Sequence, residues 1–205
     1  LLTGCGLPQV SAQDRLFLDV SVEFLDAEVL PDTVIQDSPV GGLSGITYDR
    51  QRDRFYAVSD DRGNLGPARF YTLALTLGAT DDHPDIAQIE VEAVTPLQTP
   101  EGDRFAPNTI DPEGIALSPR QSVFISSEGV ARDGIPPSIQ EFELATGKWL
   151  GQLPIPERYT PQIIDDKPSG VQDNLGFEAL TLNPGGYSTA WLEPFRLFVA
   201  IESAL

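Results

Sequence analysis

Short apolar runs separated by turn residues dominate the chain, and they predict strands rather than helices. Examples are LSGITY at 43–48, RFYAVS at 54–59 and IQEFEL at 139–144. No long stretch carries apolar residues at helical spacing, and the connecting segments are rich in Gly, Pro and Asp. The pattern therefore predicts an all-β fold with many tight turns.

One two-strand unit occurs three times along the chain. Each copy is a short strand, a turn and a second strand that ends in an acidic residue. The three copies run from Leu43 to Asp60, from Pro112 to Glu128 and from Phe177 to Glu202. Corresponding positions recur about every 65 to 69 residues.

Repeated units of short strands are typical of β-propellers, although a plain blade has only about 40 to 50 residues. We therefore expect insertions in the Pro-rich stretches 76–110 and 130–170, and the ATGK turn at 145–148 predicts an outer hairpin. A β-sandwich is the alternative, but it would not repeat a long unit with matching acids. Because a ring needs roughly four or more blades, three copies predict an incomplete β-propeller with N-terminal blades only.

Acidic residues far outnumber basic ones, with 31 Asp and Glu against 13 Lys and Arg and a formal net charge of −18. Such a surface repels the phosphates of nucleic acids and of anionic membranes, so we expect no nucleic-acid partner. The charge has two interpretations. It either keeps the protein soluble or includes carboxylates that gather around a divalent cation.

The segment Leu2-Thr3-Gly4-Cys5 resembles the lipobox at which bacterial lipoprotein signal peptides are cut. The resemblance implies a lipid on Cys5 and an exported protein anchored to the membrane of the bacterial cell envelope or periplasm. Residues 1–15 would then be a lipobox remnant and tether, and residues 16–205 the propeller domain. The alternative is a buried free cysteine. Because Cys5 is the only cysteine, no internal disulfide is possible.

Several segments, taken in order, resemble the phytase-like family of bacterial propellers described as "esterase-like activity of phytase". They are GGLSGITYD at 41–49, RFYAVSDDRG at 54–63, PARFYTL at 67–73, DPEGIAL at 111–117 with FISSEG at 124–129, and GFEALTL at 176–182 with LFVAIES at 197–203. The resemblance implies a secreted or periplasmic propeller with phosphoesterase-type activity on a small, phosphorylated substrate.

Equivalent positions of successive propeller copies point at a common axis, and here those positions are mostly acidic. Ser44, Glu113 and Glu178 begin the first strands, and Asp60, Glu128 and Glu202 end the second strands. Converging carboxylates raise one another's pKa unless a hard cation such as Ca²⁺ neutralises them. We therefore predict a Ca²⁺ site with the ligands Asp60, Glu113, Glu128, Glu178 and Glu202. Glu113 and Glu178 are the predicted catalytic residues. Alternatively, these acids cap turns or accept backbone N–H bonds between blades.

A phosphorylated substrate also needs arginines, and Arg62 and Arg69 lie in the loop DDRGNLGPAR that follows the first copy. They are the predicted substrate-binding residues. The alternative is that both hold this loop to Asp60 and Asp61.

Other enzyme classes lack the residues that they require. The single histidine, His83, sits in an acidic turn, and GLSG at 42–45 lacks the spacing of a serine-hydrolase nucleophile elbow. Three functions remain. In order of preference, they are a metal-dependent phosphoesterase, a non-catalytic envelope propeller that binds a ligand or protein, and a lactonase or sugar-oxidising propeller.

Overall fold

The computed structural model describes residues 21–36, 38–78, 85–183 and 195–204. These ranges contain no α-helix, and two single turns of 3-10 helix occur at Ala131–Asp133 and Glu157–Tyr159. The strands are β1 (Val34–Ile35), β2 (Ser38–Pro39), β3 (Leu43–Asp49), β4 (Arg54–Ser59), β5 (Arg69–Leu77), β6 (Ile86–Pro96), β7 (Pro112–Ser118), β8 (Ser122–Ser127), β9 (Ser138–Glu143), β10 (Trp149–Gln152), β11 (Gln162–Ile164), β12 (Lys167–Ser169), β13 (Phe177–Leu182) and β14 (Leu197–Ile201).

Two predictions concern residues outside the described ranges. The lipobox with Cys5 and the acidic turn with His83 both lie there. Lipidation of Cys5 therefore stays a prediction. Among the described residues, no helix has the length and apolar character needed to cross a membrane.

Antiparallel strands that follow one another in the chain pair into separate sheets. β3 to β6 form one four-stranded sheet, and β7 to β10 form another. β1–β2, β11–β12 and β13–β14 are two-stranded hairpins. The predicted all-β class is confirmed, but none of these sheets closes on itself, so the propeller ring stays a prediction.

The hairpin predicted around the ATGK turn is also present, whereas its outer position in a propeller stays a prediction. β9 and β10 pair on either side of the turn, and the Gly147 N–H donates to the Glu143 carbonyl at 2.9 Å. Gly147 has a φ of +70°, and a Cβ there would lie 2.0 Å from the Pro96 carbonyl oxygen. A side chain would be strained by both the backbone and the contact, which explains glycine at this position.

The hydrophobic core lies in layers between the sheets. β8 is buried along its whole length and alternates its apolar side chains between two layers. Ile125 belongs to the cluster that joins the two four-stranded sheets, together with Val58. Phe124 points the other way, into the cluster that contains Phe177 of β13. The second four-stranded sheet is therefore packed on both faces.

Each copy of the predicted repeat has the same β-bulge in its first strand. In each copy, three residue steps along the first strand lie opposite two residue steps along the paired strand. The register shifts lie between Leu43 and Ile46, between Pro112 and Ile115, and between Phe177 and Leu180. A bulge redirects the side chain that it contains. The redirected positions include Ser44, Glu113 and Glu178, which are the residues that the repeat had aligned.

The second strand of each copy ends in the same way. The N–H of its terminal acid donates to the carbonyl of the residue just before the first strand. The three pairs are Asp60 to Gly42 at 2.6 Å, Glu128 to Asp111 at 3.1 Å and Glu202 to Gly176 at 3.1 Å. The sequence repeat is therefore also a structural repeat, down to individual backbone bonds.

Candidate metal centre

The first strands of the three copies lie side by side, with β7 between β3 and β13. Glycine makes this approach possible. A Cβ at Gly45 would lie 2.6 Å from the Glu113 carbonyl oxygen, and one at Gly114 would lie 2.6 Å from the Glu178 carbonyl oxygen. The close contact brings the bulged residues of successive copies together.

Two serines fix the bulges relative to each other. The Ser44 hydroxyl donates to Glu113 Oε2 at 2.6 Å, which joins the first copy to the second. Ser126 accepts a bond from the Gly114 N–H at 2.9 Å and donates to the Glu178 carbonyl at 3.1 Å, which joins the second copy to the third. Ser126 thus satisfies backbone groups within two of the bulges, whereas Ser44 bonds to the Glu113 carboxylate.

Five carboxylates gather at these junctions in two overlapping groups. We call Asp60, Asp111 and Glu113 the Asp111 triad, and Glu113, Glu128 and Glu178 the Glu178 triad. In each triad, one oxygen from every member lies within 4.8 Å of one oxygen from the others. Glu113 belongs to both.

A cavity of about 250 Å³ lies at the bulges. All three first strands contribute to its wall, and the polar members of that wall are Ser44, Glu113 and Glu178. The cavity is therefore a small cleft between copies, with two carboxylates and a serine in its wall.

Burial makes the charge on Glu113 costly. Desolvation is the main cause that raises its pKa to about 8, with further contributions from the negative charges of Asp60, Glu178 and Asp111. The Ser44 hydrogen bond acts in the opposite direction and is outweighed. Without a cation, Glu113 therefore holds a proton at neutral pH.

The pKa values of Glu128 and Asp60 are also raised. Desolvation, the hydrogen bond to Glu178 and the nearby negative charges raise the pKa of Glu128 to about 7, against the bond donated by the Gly176 N–H. Desolvation and the charge of Asp111 raise the pKa of the Asp60 carboxyl above its ordinary value. Each triad thus contains acids whose raised pKa makes them lose their protons less readily when no cation is bound.

Arg62 is the cation that contacts these triads in the described part of the chain. Its Nη2 lies 2.5 Å from Asp111 Oδ2 and 3.8 Å from Glu128 Oε2, and it donates to Asn174 Oδ1 at 2.8 Å. The side chain is 17% exposed, so it contacts the triads and still reaches solvent. One guanidinium cannot balance five carboxylates.

Arg69 has a different environment from Arg62. Its guanidinium is buried and donates to Asp61 Oδ2 at 2.8 Å, to the Tyr71 hydroxyl at 2.7 Å and to the Pro39 carbonyl at 3.0 Å. These bonds connect the loop after β4 to the end of β2. The structure places Arg69 inside the fold, whereas Arg62 contacts the acidic triads.

The structure brings together four of the five predicted metal ligands, namely Asp60, Glu113, Glu128 and Glu178. Glu202 is exposed and belongs to neither triad. By the pattern of the other copies, a terminal acid meets the bulged residue of the following copy. No following copy occurs among the described residues.

Asp111 was not predicted as a site residue. It precedes β7 at the position that Gly42 and Gly176 occupy in the other copies, so the repeat gave no signal for an acid there. Its carboxylate is fully buried, Oδ2 accepts from Arg62 Nε at 2.7 Å, and Oδ1 has no hydrogen-bond partner in the described part of the chain. The sequence signal that could have found Asp111 was the segment DPEGIAL, which begins with this residue and is one of the segments that resemble the family.

An all-β protein with a carboxylate-lined cleft between repeated strand pairs is the class that the fold and site define. The model of the phytase-like family, described as esterase-like activity of phytase, matches residues 38–205. The chain belongs to this family. No curated protein and no solved structure matches the chain.

Proposed function

We propose that the chain is a metal-dependent phosphoesterase that acts on phosphate esters and holds Ca²⁺ in the acidic cleft. The observation that carries this proposal is the convergence of Asp60, Asp111, Glu128 and Glu178 on the buried Glu113. Membership of a phytase-like family supports the choice of phosphate esters as the substrate class.

The spacing of the carboxylates fits such an ion. Each Ca–O bond is about 2.3 to 2.6 Å long, so two oxygens on one ion lie at most about 5 Å apart. The oxygens within each triad satisfy this limit, because all lie within 4.8 Å of one another. Calcium also takes six to eight oxygen ligands, which carboxylates, a serine hydroxyl and water can supply.

Individual residues have separate parts in this proposal. Glu113 and Glu178 would bind the ion, and the Ser44 hydroxyl orients Glu113 through the bond to Oε2. Arg62 contacts both triads, reaches solvent and would attract an anionic substrate. A bound divalent cation would supply neutralisation of phosphate oxygens and a more acidic water.

We further propose that the sheets are blades of a β-propeller. The support is threefold: two four-stranded sheets in chain order, first strands that lie side by side, and the same bulge in each copy. An experimental map in which β3, β7 and β13 do not surround a common axis would exclude this architecture.

The proposed location is the bacterial cell envelope, with the chain anchored through a lipid on Cys5. The support is the similarity of Leu2-Thr3-Gly4-Cys5 to a lipobox. The mass of the fragment that carries Cys5, isolated from a native membrane fraction, tests it. An unmodified thiol would rule the anchor out.

Hydrolysis of p-nitrophenyl phosphate tests the phosphoesterase proposal. We expect turnover with Ca²⁺, loss of turnover in EDTA and recovery when Ca²⁺ is restored. Glu113→Gln keeps the shape of the side chain but removes its charge. It should therefore cost more than the roughly 10- to 100-fold that loss of an outer-shell partner of a metal costs.

Glu101→Gln is the matched control, because Glu101 is exposed and outside both triads. It should leave turnover unchanged. If Glu113→Gln retains both calcium binding and turnover, the assignment is wrong. Calcium binding without turnover of phosphate esters would instead indicate a binding propeller, and turnover of lactones alone would indicate a lactonase.

A further inference from the structure

The two carboxylate triads differ in composition and share one residue. From this arrangement we infer that the five carboxylates of the triads bind two divalent cations, one in each triad, with Glu113 shared between them. The inference rests on the proposed function, since it assigns the number and place of the ions that the phosphoesterase would use.

The five carboxylates form two overlapping groups of three rather than one group of five. The grouping within 4.8 Å puts Asp60 and Asp111 with Glu113 on one side, and Glu128 and Glu178 with Glu113 on the other. A single Ca²⁺ can bind only oxygens within about 5 Å of one another. The grouping therefore favours one ion in each triad.

Each triad lies at a junction between successive copies of the repeat. The Asp111 triad combines the terminal acid of the first copy, Asp60, with Asp111 and Glu113 from the second copy. The Glu178 triad combines the terminal acid of the second copy, Glu128, with the bulged acid of the third, Glu178. Equivalent junctions with similar acids are expected to bind similar ligands.

An independent observation points to a ligand in the Asp111 triad. Asp111 is 0% exposed, and its Oδ1 has no hydrogen-bond partner among the described residues. Leaving such an oxygen unpaired away from water costs about 1 to 3 kcal/mol, and more for a charged group. Arg62 already occupies Oδ2, so a cation on Oδ1 would satisfy the remaining oxygen.

The charge of the cleft also matches two ions. When all five carboxylates of the triads are ionised, Arg62 leaves four negative charges unbalanced. Two divalent cations neutralise these charges, whereas one leaves two negative charges in a buried site. Paired ions in phosphoesterases lie about 3.5 to 4 Å apart and hold both the attacking and the leaving oxygen, so this arrangement suits the proposed reaction.

Calorimetric titration with CaCl₂ at pH 8 tests the number of ions. We expect a stoichiometry of two for the full chain. Asp60→Asn should lower the stoichiometry to one, because Asp60 belongs only to the Asp111 triad. Since Asp60 is exposed, we expect this variant to fold. Glu178→Gln should also lower it to one by removing the other ion. Asp103→Asn, at an exposed turn outside both triads, should leave two.

Asp111→Asn provides a second test of the first triad, and circular dichroism confirms that each variant is folded. A stoichiometry of one that is lost with Glu178→Gln but unchanged by Asp60→Asn and Asp111→Asn would overturn the second ion and leave the proposed function standing. A single ion whose binding is lost in Asp60→Asn, Asp111→Asn and Glu178→Gln alike would also overturn the second ion. No binding to the full chain would overturn both proposals.

Discussion

Glu113 is a buried acid that belongs to both carboxylate triads. It is 7% exposed, and its surroundings, dominated by burial, raise its pKa to about 8. In a folded chain without a cation, this carboxyl binds a proton that the unfolded chain releases near its ordinary pKa of 4.5. A cation would replace that proton and neutralise the buried carboxylate.

The raised pKa values predict how stability depends on pH when calcium is absent. Between the ordinary value of 4.5 and the folded values of about 7 for Glu128 and about 8 for Glu113, the folded state binds more protons than the unfolded state. Their contribution to stability must therefore fall as pH rises through this window. Urea unfolding in EDTA from pH 4.5 to 8.5 measures the effect.

Glu113→Gln resembles the protonated side chain and should make that pH dependence shallower, with the largest gain in stability near pH 8. Glu101→Gln should have the slope of the parent chain. A parent chain whose stability rises with pH across this window would contradict the account of Glu113.

The bulged first strands are the elements that convert a sequence repeat into a site. Turn residues and short apolar runs predicted β3, β4, β7, β8, β13 and β14, because strand pattern and turn chemistry are local properties. The bulges could not be predicted, since each is a register difference between two strands. Asp111 was not predicted as a site residue for a similar reason, because its burial depends on strands that lie far away in sequence.

The close approach of β7 and β13 predicts a large effect of Gly114→Ala. A Cβ there would lie 2.5 Å from Ser126 Oγ and 2.6 Å from the Glu178 carbonyl oxygen. Overpacking of this kind costs about 1 to 3 kcal/mol of unfolding free energy. It should also weaken calcium binding, because it separates Glu113 from Glu178.

Gly151→Ala in β10 is the control for this change, because a Cβ at Gly151 would meet nothing within 4 Å. That variant should be neutral or up to about 1 kcal/mol more stable, as expected when alanine reduces the freedom of the unfolded chain. Chemical denaturation of both variants gives the comparison. Equal stability for the two would show that the first strands tolerate a wider spacing than the structure indicates.

At the scale of the molecule, the packing of sheets decides which acids meet. Two four-stranded sheets and the β13–β14 hairpin pack in layers, and the acidic junctions occur where consecutive copies touch. Sequence patterns predicted that Asp60, Glu113, Glu128 and Glu178 come together, because these acids recur in register. It could not predict that Arg69 is buried against Asp61 while Arg62 reaches Asp111, since that depends on how the loop after β4 folds.

Thermal unfolding with increasing CaCl₂ tests most directly whether the cleft carboxylates hold a cation. A ligand that binds only the folded state raises the melting temperature progressively. We expect such a rise for the parent chain and for Glu101→Gln, and none for the Glu113→Gln, Glu178→Gln double variant. An unchanged melting temperature for the parent chain, or an equal rise in the double variant, would contradict this expectation.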